Sequence, residues 1–335
     1  MNILPTSSGA GRPSRVRTSG KADAAVSVII CTHNPKPETL TQTLGALQAQ
    51  SLEVSLWELI IVDNGSSEPV KSWVDSSWHP GARIVREERL GLTYARLSGY
   101  HAARGEIIVF VDDDNLLAPD YLRTVLSILT DNPRIGAAGG KVTAQYEIAP
   151  PQWFAGMERM IACRNLGKEV LVAEWASSTI SERRYPECAP IGAGMVVRRA
   201  AFASYVENVS KDSGRLLLDR AGTSLASGGD NDIVMSVLQG GWHVAYLPAL
   251  ELQHIIPPGR LTPTYLARMA YSSMVTWIAV LGLYGIRPWT PIPKWTVPLR
   301  KIRAYFRLKP WAGPAQLVRW KSACGLFEGR AKLSQ

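Results

Sequence analysis

The chain has 335 residues, 46% of them hydrophobic and 19% charged, the balance of a globular protein with an ample core arranged as one large domain or two small ones. Its formal net charge of +9 sits in the ends: the first 25 residues hold +3 and the stretch from Arg287 onward +10, leaving −4 for residues 26–286. That distribution argues against a nucleic-acid-binding core and points to an anionic partner for the tail.

Residues 1–25, rich in Ser, Gly, Pro and Arg, read as a disordered leader with no apolar signal segment. The four cysteines, Cys31, Cys163, Cys188 and Cys324, lie far apart without metal-ligand spacing, so reduced thiols in a cytosolic compartment are expected. A short apolar strand opens at Val26 and runs into the polar turn Thr32-His-Asn34. A helix over 38–50 follows, with Leu40, Leu44 and Leu47 on one face. The next buried strand, 58–63, ends in Asp63 and a glycine turn, which completes a right-handed βαβ unit. A weaker strand at 83–85 and a helix over 93–104 lead to Ile107-Ile-Val-Phe-Val111, the mark of a strand buried on both faces.

Three carboxylates then arrive together, at Asp112, Asp113 and Asp114. Mutual repulsion and desolvation would make such a cluster destabilising unless it is neutralised. A Mg²⁺ or Mn²⁺ ion with oxygen ligands neutralises it and can also hold substrate phosphates. Strand alternation predicts Asp112 and Asp114 on one side and Asp113 on the other, at the strand end where open α/β sheets bind ligands. A solvated acidic turn before a helix starting near Pro119 is the alternative for these residues alone. No glycine-rich phosphate loop is present, so phosphates would depend on the metal.

In the second half a strand is expected over 136–144, a helix after Trp153, and an exposed loop over 180–190. The segment Ile191-Gly-Ala-Gly-Met-Val-Val197 carries glycines where a backbone could approach a ligand. A helix opens at Ser227-Gly-Gly-Asp-Asn-Asp-Ile233, with Asp230 at or near its N-terminus, either as a cap or as a functional carboxylate. Short strands are expected at 242–247 and 250–253, the second leading to His254. The uncharged run 274–286 is shorter than the ~20 residues of a spanning helix and reads as a packed or interfacial helix. Residues 288–298 break helix. Beyond them Leu299, Ile302 and Phe306 oppose Arg300, Arg303 and Arg307, and Leu317, Trp320 and Phe327 oppose Arg319 and Lys321. Basic amphipathic helices of this kind suit an anionic membrane surface; helices packed on the domain are the alternative.

Together these segments resemble the motifs of family 2 glycosyltransferases, over roughly residues 26–262. The resemblance implies a GT-A fold of the α/β class. Its doubly wound, mostly parallel nucleotide-sugar half (26–144) would merge with an acceptor half (145–262), followed by a helical, basic, membrane-associated region (263–335). Val28-Ile-Ile-Cys-Thr-His-Asn34 resembles the first strand and nucleotide-binding turn, implying donor contacts at Thr32 and Asn34. Ile60-Ile-Val-Asp-Asn-Gly-Ser66 implies a nucleobase contact by Asp63. Of Ala95-Arg96-Leu97 only Arg96 carries over to the donor. Gly105-Glu-Ile-Ile-Val-Phe-Val-Asp-Asp-Asp114 resembles the DXD strand, with Asp112 and Asp113 on the donor and Asp114 on the metal. Gly192-Ala-Gly194 and Arg198-Arg199 resemble the segment bordering sugar and acceptor; Trp153 and Asp232 are also assigned to the acceptor side. Gly228-Gly-Asp-Asn-Asp232 resembles the late acidic motif that carries the catalytic base, here Asp230. His254 and Pro257-Pro-Gly-Arg260 resemble the turn that holds metal and diphosphate. The family usually has Glu where this chain has Gly229, so any contact made by that Glu is missing.

The activity so implied is inverting transfer from a nucleotide-diphospho-sugar, UDP foremost, to a hydroxyl of a glycan or lipid-linked acceptor such as a growing cell-surface polysaccharide. It would use Mg²⁺ or Mn²⁺ at the cytoplasmic face of a membrane, with the protein bound peripherally and no nucleic-acid partner. No second carboxylate can be assigned as nucleophile, which favours one displacement over two. Other readings are a haloacid-dehalogenase-type phosphatase, a nucleotide-sugar pyrophosphorylase, and a membrane-associated non-catalytic scaffold that binds nucleotide-sugar. The phosphatase expects its motif near the domain start followed by Thr or Val rather than Asn115, and the pyrophosphorylase expects a glycine-rich loop. Gly229 and Leu97 are the scaffold's support.

Overall fold

Continuous apolar runs separated by helices shape the N-terminal half. The computed structural model describes residues 24–333 apart from 177, 181 and 223; the expected leader lies outside the described residues except for its last two. The runs become β1 (Val26–Thr32), β2 (Trp57–Asp63), β3 (Ala82–Arg86) and β4 (Ile107–Asp112), with α1 (Pro37–Gln48) and α2 (Leu92–Ala102) between them. They pair in parallel in the order β3-β2-β1-β4. Alternate residues feed opposite cores: Val28, Ile30 and Leu59 share one with Leu40, Leu44 and Leu47 of α1, and Ile29, Ile60 and Phe110 share another with Ala95 of α2. Burial on both faces is why these strands lack polar alternation.

The second half adds β5 (Asn115–Leu117), α3 (Tyr121–Asp131), β6 (Ile135–Tyr146), β7 (Leu171–Ala173), β8 (Val196–Arg198), α4 (Arg199–Lys211), α5 (Gly229–Gln239) and β9 (His243–Ile256). Among the described residues nine strands form one sheet, continuing β4-β8-β6-β9-β5 with β7 also on β9. This part is mixed. β8 runs antiparallel to β4 and β6, β6 parallel to β9, and β5 and β7 antiparallel to β9. The two strands expected at 242–247 and 250–253 are one. From the pair Gly139–Tyr246 to the pair Lys141–Glu251, β9 advances five residues while β6 advances two, and such a bulge reads as a break in sequence. Gly140 is required beside it, because a Cβ there would lie 2.6 Å from that of Leu250. The helix expected after Trp153 is absent. That segment makes two short 3₁₀ turns, Gln152–Phe154 and Glu158–Ile161, separated by Gly156 at φ 81°. The 180–190 loop starts exposed but buries Cys188 and Ala189 at its end.

Three helices close the chain: α6 (Pro263–Leu283), α7 (Val297–Leu308) and α8 (Pro314–Lys332). At 21 residues α6 outruns the uncharged stretch and has the length and composition of a membrane span. It is nevertheless built into the protein, with Val280 and Leu281 in the same core as α5 and α8 laid against it. Gly325 and Gly329 permit that approach, since a Cβ on Gly329 would meet Ile278 at 2.6 Å. α8 is therefore a packed helix, contrary to its expected amphipathic role. α7 does keep an open apolar face: Leu299, Ile302 and Phe306 are 62%, 55% and 65% exposed.

Candidate active site

β4 ends at Asp112 and β5 begins at Asn115, so a turn interrupts strand alternation at Asp113 and Asp114. All three carboxylates consequently line one cavity of about 1120 Å³, where alternation predicted that Asp113 would point elsewhere. Asp113 accepts a hydrogen bond from Thr32 Oγ1 at the end of β1. The β5–β9 pairing sets Asn115 opposite His254, which brings a residue 140 positions downstream to Asp114. Asp114 Oδ1 lies 3.3 Å from His254 Nε2 and accepts from Asn115 Nδ2 at 3.0 Å, while Oδ2 accepts from Arg260 Nη2 at 2.8 Å.

Charge at this corner is unevenly compensated. Burial, then the charge of Asp114, pushes Asp113 up to about 7 and raises Asp112 as well. Burial acts the same way on Asp114, but His254 and Arg260 outweigh it and hold its pKa at about 2. Arg260 Nη1 lies 2.8 Å from His254 Nε2, so both side chains meet at the Asp114 carboxylate. A carboxylate oxygen and an imidazole nitrogen converging next to two further half-buried acids fit a divalent cation of the Mn²⁺ or Mg²⁺ kind. Among the described residues no three His, Cys, Asp or Glu groups converge in ligating geometry. The protein thus offers a two-ligand platform whose other positions would fall to water and diphosphate.

The opposite wall is built on α5. Its N-cap is Gly228, and Asp230 stands inside the first turn without capping it. Asp230 Oδ2 instead accepts from the Gly192 amide at 3.0 Å, and Oδ1 lies 2.7 Å from Arg96 Nη2. Glycine is needed at 192 because a Cβ would sit 2.8 Å from the Asp230 carboxyl carbon. Arg96, 3% exposed on α2, also donates to Asp219 at 2.9 Å. Burial pushes Asp219 up to about 6. Sequence reasoning missed Asp219, which belongs to no motif; the unexplained Gly229 was the available hint.

The cavity thus gathers Thr32, Arg96, the three acids, Gly192, Asp230, His254 and Arg260. Five expected residues fall outside it. Asp63 is 2% exposed and spends its oxygens on the amides of Ser66 and Val70 and on Arg86, at 3.0, 3.0 and 2.8 Å; burial opposes its ionisation, but these donors hold its pKa below the ordinary value. Its neighbour Asn64 lines the cavity instead. Asn34, with φ 48°, ties its loop to Ser66 and Ser67. Gly194, with φ 67°, passes its carbonyl to Tyr121 Oη at 2.6 Å. Trp153 packs edge-on against Phe154. Asp232 is fully buried and pairs with Arg215 and with Tyr284 Oη, the latter at 2.6 Å. Two helical residues turn about 200°, which sends Asp232 to the side of α5 opposite Asp230. Arg198 and Arg199 are likewise structural, donating to the carbonyls of Leu129 and Tyr100 at 2.8 and 3.2 Å. Conversely, Met269 and Trp277 of α6 and Arg319 of α8 line the cavity, so the tail belongs partly to the site.

The family model for glycosyl transferase family 2 matches residues 27–204, taking in Thr32, Arg96, the acidic turn and Gly192. The chain belongs to glycosyl transferase family 2. Membership sets aside the phosphatase and pyrophosphorylase readings. Among curated relatives, a glucosyl-dolichyl phosphate glucuronosyltransferase of Haloferax volcanii is 28% identical over 132 residues, 38% of this chain and 42% of that protein. An N-acetylglucosaminyltransferase of Mesorhizobium japonicum is 23% identical over 262 residues, 76% of this chain and 55% of that one. The family 2 chain therefore spans about half the length of these relatives. The structure of GalNAc-T7 with UDP, GalNAc and Mn²⁺ superposes with a TM-score of 0.54 at 16% identity, covering 93% of this chain and 57% of the other. That likeness is one of fold, the GT-A fold.

Proposed function

We propose that this protein is a metal-dependent inverting glycosyltransferase that moves a sugar from a UDP-sugar to a hydroxyl of a membrane-held glycan or lipid-linked acceptor. The observation that carries the reading is one cavity with a diphosphate corner (Asp114, His254, Arg260) and, across it, a single accessible carboxylate, Asp230, held by Arg96 and Gly192. UDP in the GalNAc-T7 structure and the dolichyl phosphate in the Haloferax relative's name support the choice of donor and acceptor class.

In this reading Arg260 binds the diphosphate and Thr32 orients Asp113 at the donor's edge. A divalent ion on Asp114 and His254 would supply electrophilic stabilisation of the charge that grows on the leaving diphosphate. The acceptor oxygen attacks the anomeric carbon as the bond from that carbon to the diphosphate oxygen breaks. Asp230 takes the hydroxyl proton during attack. One base opposite the leaving group gives one displacement and inverted configuration. Membrane attachment rests on α7, where Leu299, Ile302 and Phe306 lie exposed among Arg303, Arg307 and Lys309.

The decisive experiment is transfer from a panel of UDP-hexoses with Mn²⁺, followed by the anomeric configuration of the product. Retained configuration, or no UDP released by the wild type under any pairing, defeats the reading.

A further inference from the structure

Gly229 is empty where the family's acidic motif usually has Glu, and the structure shows what fills the space. A Cβ on Gly229 would lie 2.6 Å from Asp219 Cγ and 2.9 Å from Asp219 Cβ. Asp219 comes from the segment before α5, and that segment is tied down on two sides. Gly228 N donates to Leu218 O at 2.7 Å, and Leu92 N at the start of α2 donates to Arg220 O at 2.9 Å. Asp219 is 5% exposed; Oδ1 accepts from the Arg220 amide and Oδ2 from Arg96 Nη1, both at 2.9 Å. The other end of the same guanidinium reaches Asp230 at 2.7 Å. One buried arginine is thus shared by two carboxylates, and a larger residue at 229 could not coexist with the first.

We propose that Asp219 supplies, from a neighbouring segment, the carboxylate that position 229 lacks, and that it acts as a positioning residue holding Arg96 against Asp230. By engaging part of the guanidinium's charge, Asp219 leaves Asp230 only partly neutralised and so able to accept a proton. Glycine at 229 is then the counterpart of Asp219, not a sign of a degenerate site. This inference rests on Asp230 being the base.

The test is a relocation cycle of wild type, Asp219→Gly, Gly229→Glu and the double variant, with Asp219→Asn as the shape-conserving control. Melting temperature, the thermal shift given by UDP with Mn²⁺, and UDP release from UDP-hexoses are read for each. Gly229→Glu alone should melt several degrees lower, and the double variant should regain most of that loss and at least ten-fold of the turnover lost in Asp219→Gly. Asp219→Asn should lower kcat at least ten-fold while leaving the donor KM and the UDP shift unchanged. A double variant no more stable than Gly229→Glu, or Asp219→Asn with wild-type kcat, overturns the proposal. If the wild type itself releases no UDP, the proposed function fails, and the melting-temperature cycle alone decides the exchange: no recovery in the double variant overturns it.

Discussion

Asp230 sits between a backbone amide and a guanidinium, and neither contact is a helix cap. Asn could keep the Gly192 bond but cannot take a proton. Asp230→Asn should therefore fold normally, keep its UDP shift and lose transfer by about 10²–10⁴-fold, the usual contribution of general acid–base catalysis; retention of most turnover would place the base elsewhere. Asp232 is no substitute, being buried on the far side of α5. At the acidic corner, Asp114→Asn should abolish the cation dependence of UDP binding, and metal-free binding by the wild type at full strength would contradict the two-ligand platform. Asp219 makes a pH prediction. Burial raises its pKa from 3.8 to about 6, so the folded chain keeps a proton that the unfolded chain releases. Its stabilising contribution is full below pH 3.8 and is lost as pH rises through 6. The melting temperature of Asp219→Asn, relative to wild type, should accordingly increase between pH 4 and pH 7. A flat or falling difference would contradict that shift. The acidic turn, Asp230 and His254 were legible because short polar motifs follow strand or helix signals. Asp63 and Asn34 were legible only as positions, since sequence does not say whether loop amides will consume a carboxylate.

At the scale of elements, the helices of the tail divide their work. A Cβ on Gly325 would clash with the carbonyl oxygen of Tyr271 and lie 3.1 Å from Met274 Cβ. Gly325→Ala should push α8 off α6 and cost about 1–3 kcal/mol, as overpacking does, measured by denaturant unfolding; an unchanged midpoint would mean that α8 gives way freely. α7 is the opposite case. Ile302→Asp with Phe306→Asp should leave the melting temperature near wild type, since both residues are exposed, and should abolish sedimentation with anionic vesicles. Unaltered sedimentation would remove α7 from the membrane reading. β1, β2 and β4 were readable because burial on both faces writes continuous apolar runs. β9 was read as two strands because Pro248 and Ala249 fall in its bulge. α8 was misread because its contact face includes Gly325, Gly329 and Cys324, small residues that close packing favours and hydropathy underweights.

For the whole molecule, the basic end balances a mildly acidic body, but the end is no detachable anchor. Removing residues 287–335 would strip α8 from α6 and take Arg319 from the cavity wall. Truncation should therefore damage folding and nucleotide binding together, whereas the α7 substitutions should separate membrane binding from both. The sheet's first four strands and their helices followed from the sequence because local signals agree with the global fold. In the mixed half only the long strands β6 and β9 were anticipated, because β5, β7 and β8 have three residues each, too short for any periodicity to register.

The cavity wall contributed by α6 and α8 has a kinetic consequence. With α7 resting on a bilayer, that wall would stand close to the lipid, and an acceptor anchored there would search in two dimensions instead of three. Turnover would then follow the mole fraction of acceptor in the lipid and not its amount per volume of buffer. Adding inert anionic lipid at constant total acceptor should slow the enzyme, even though every molecule of protein and substrate is still present.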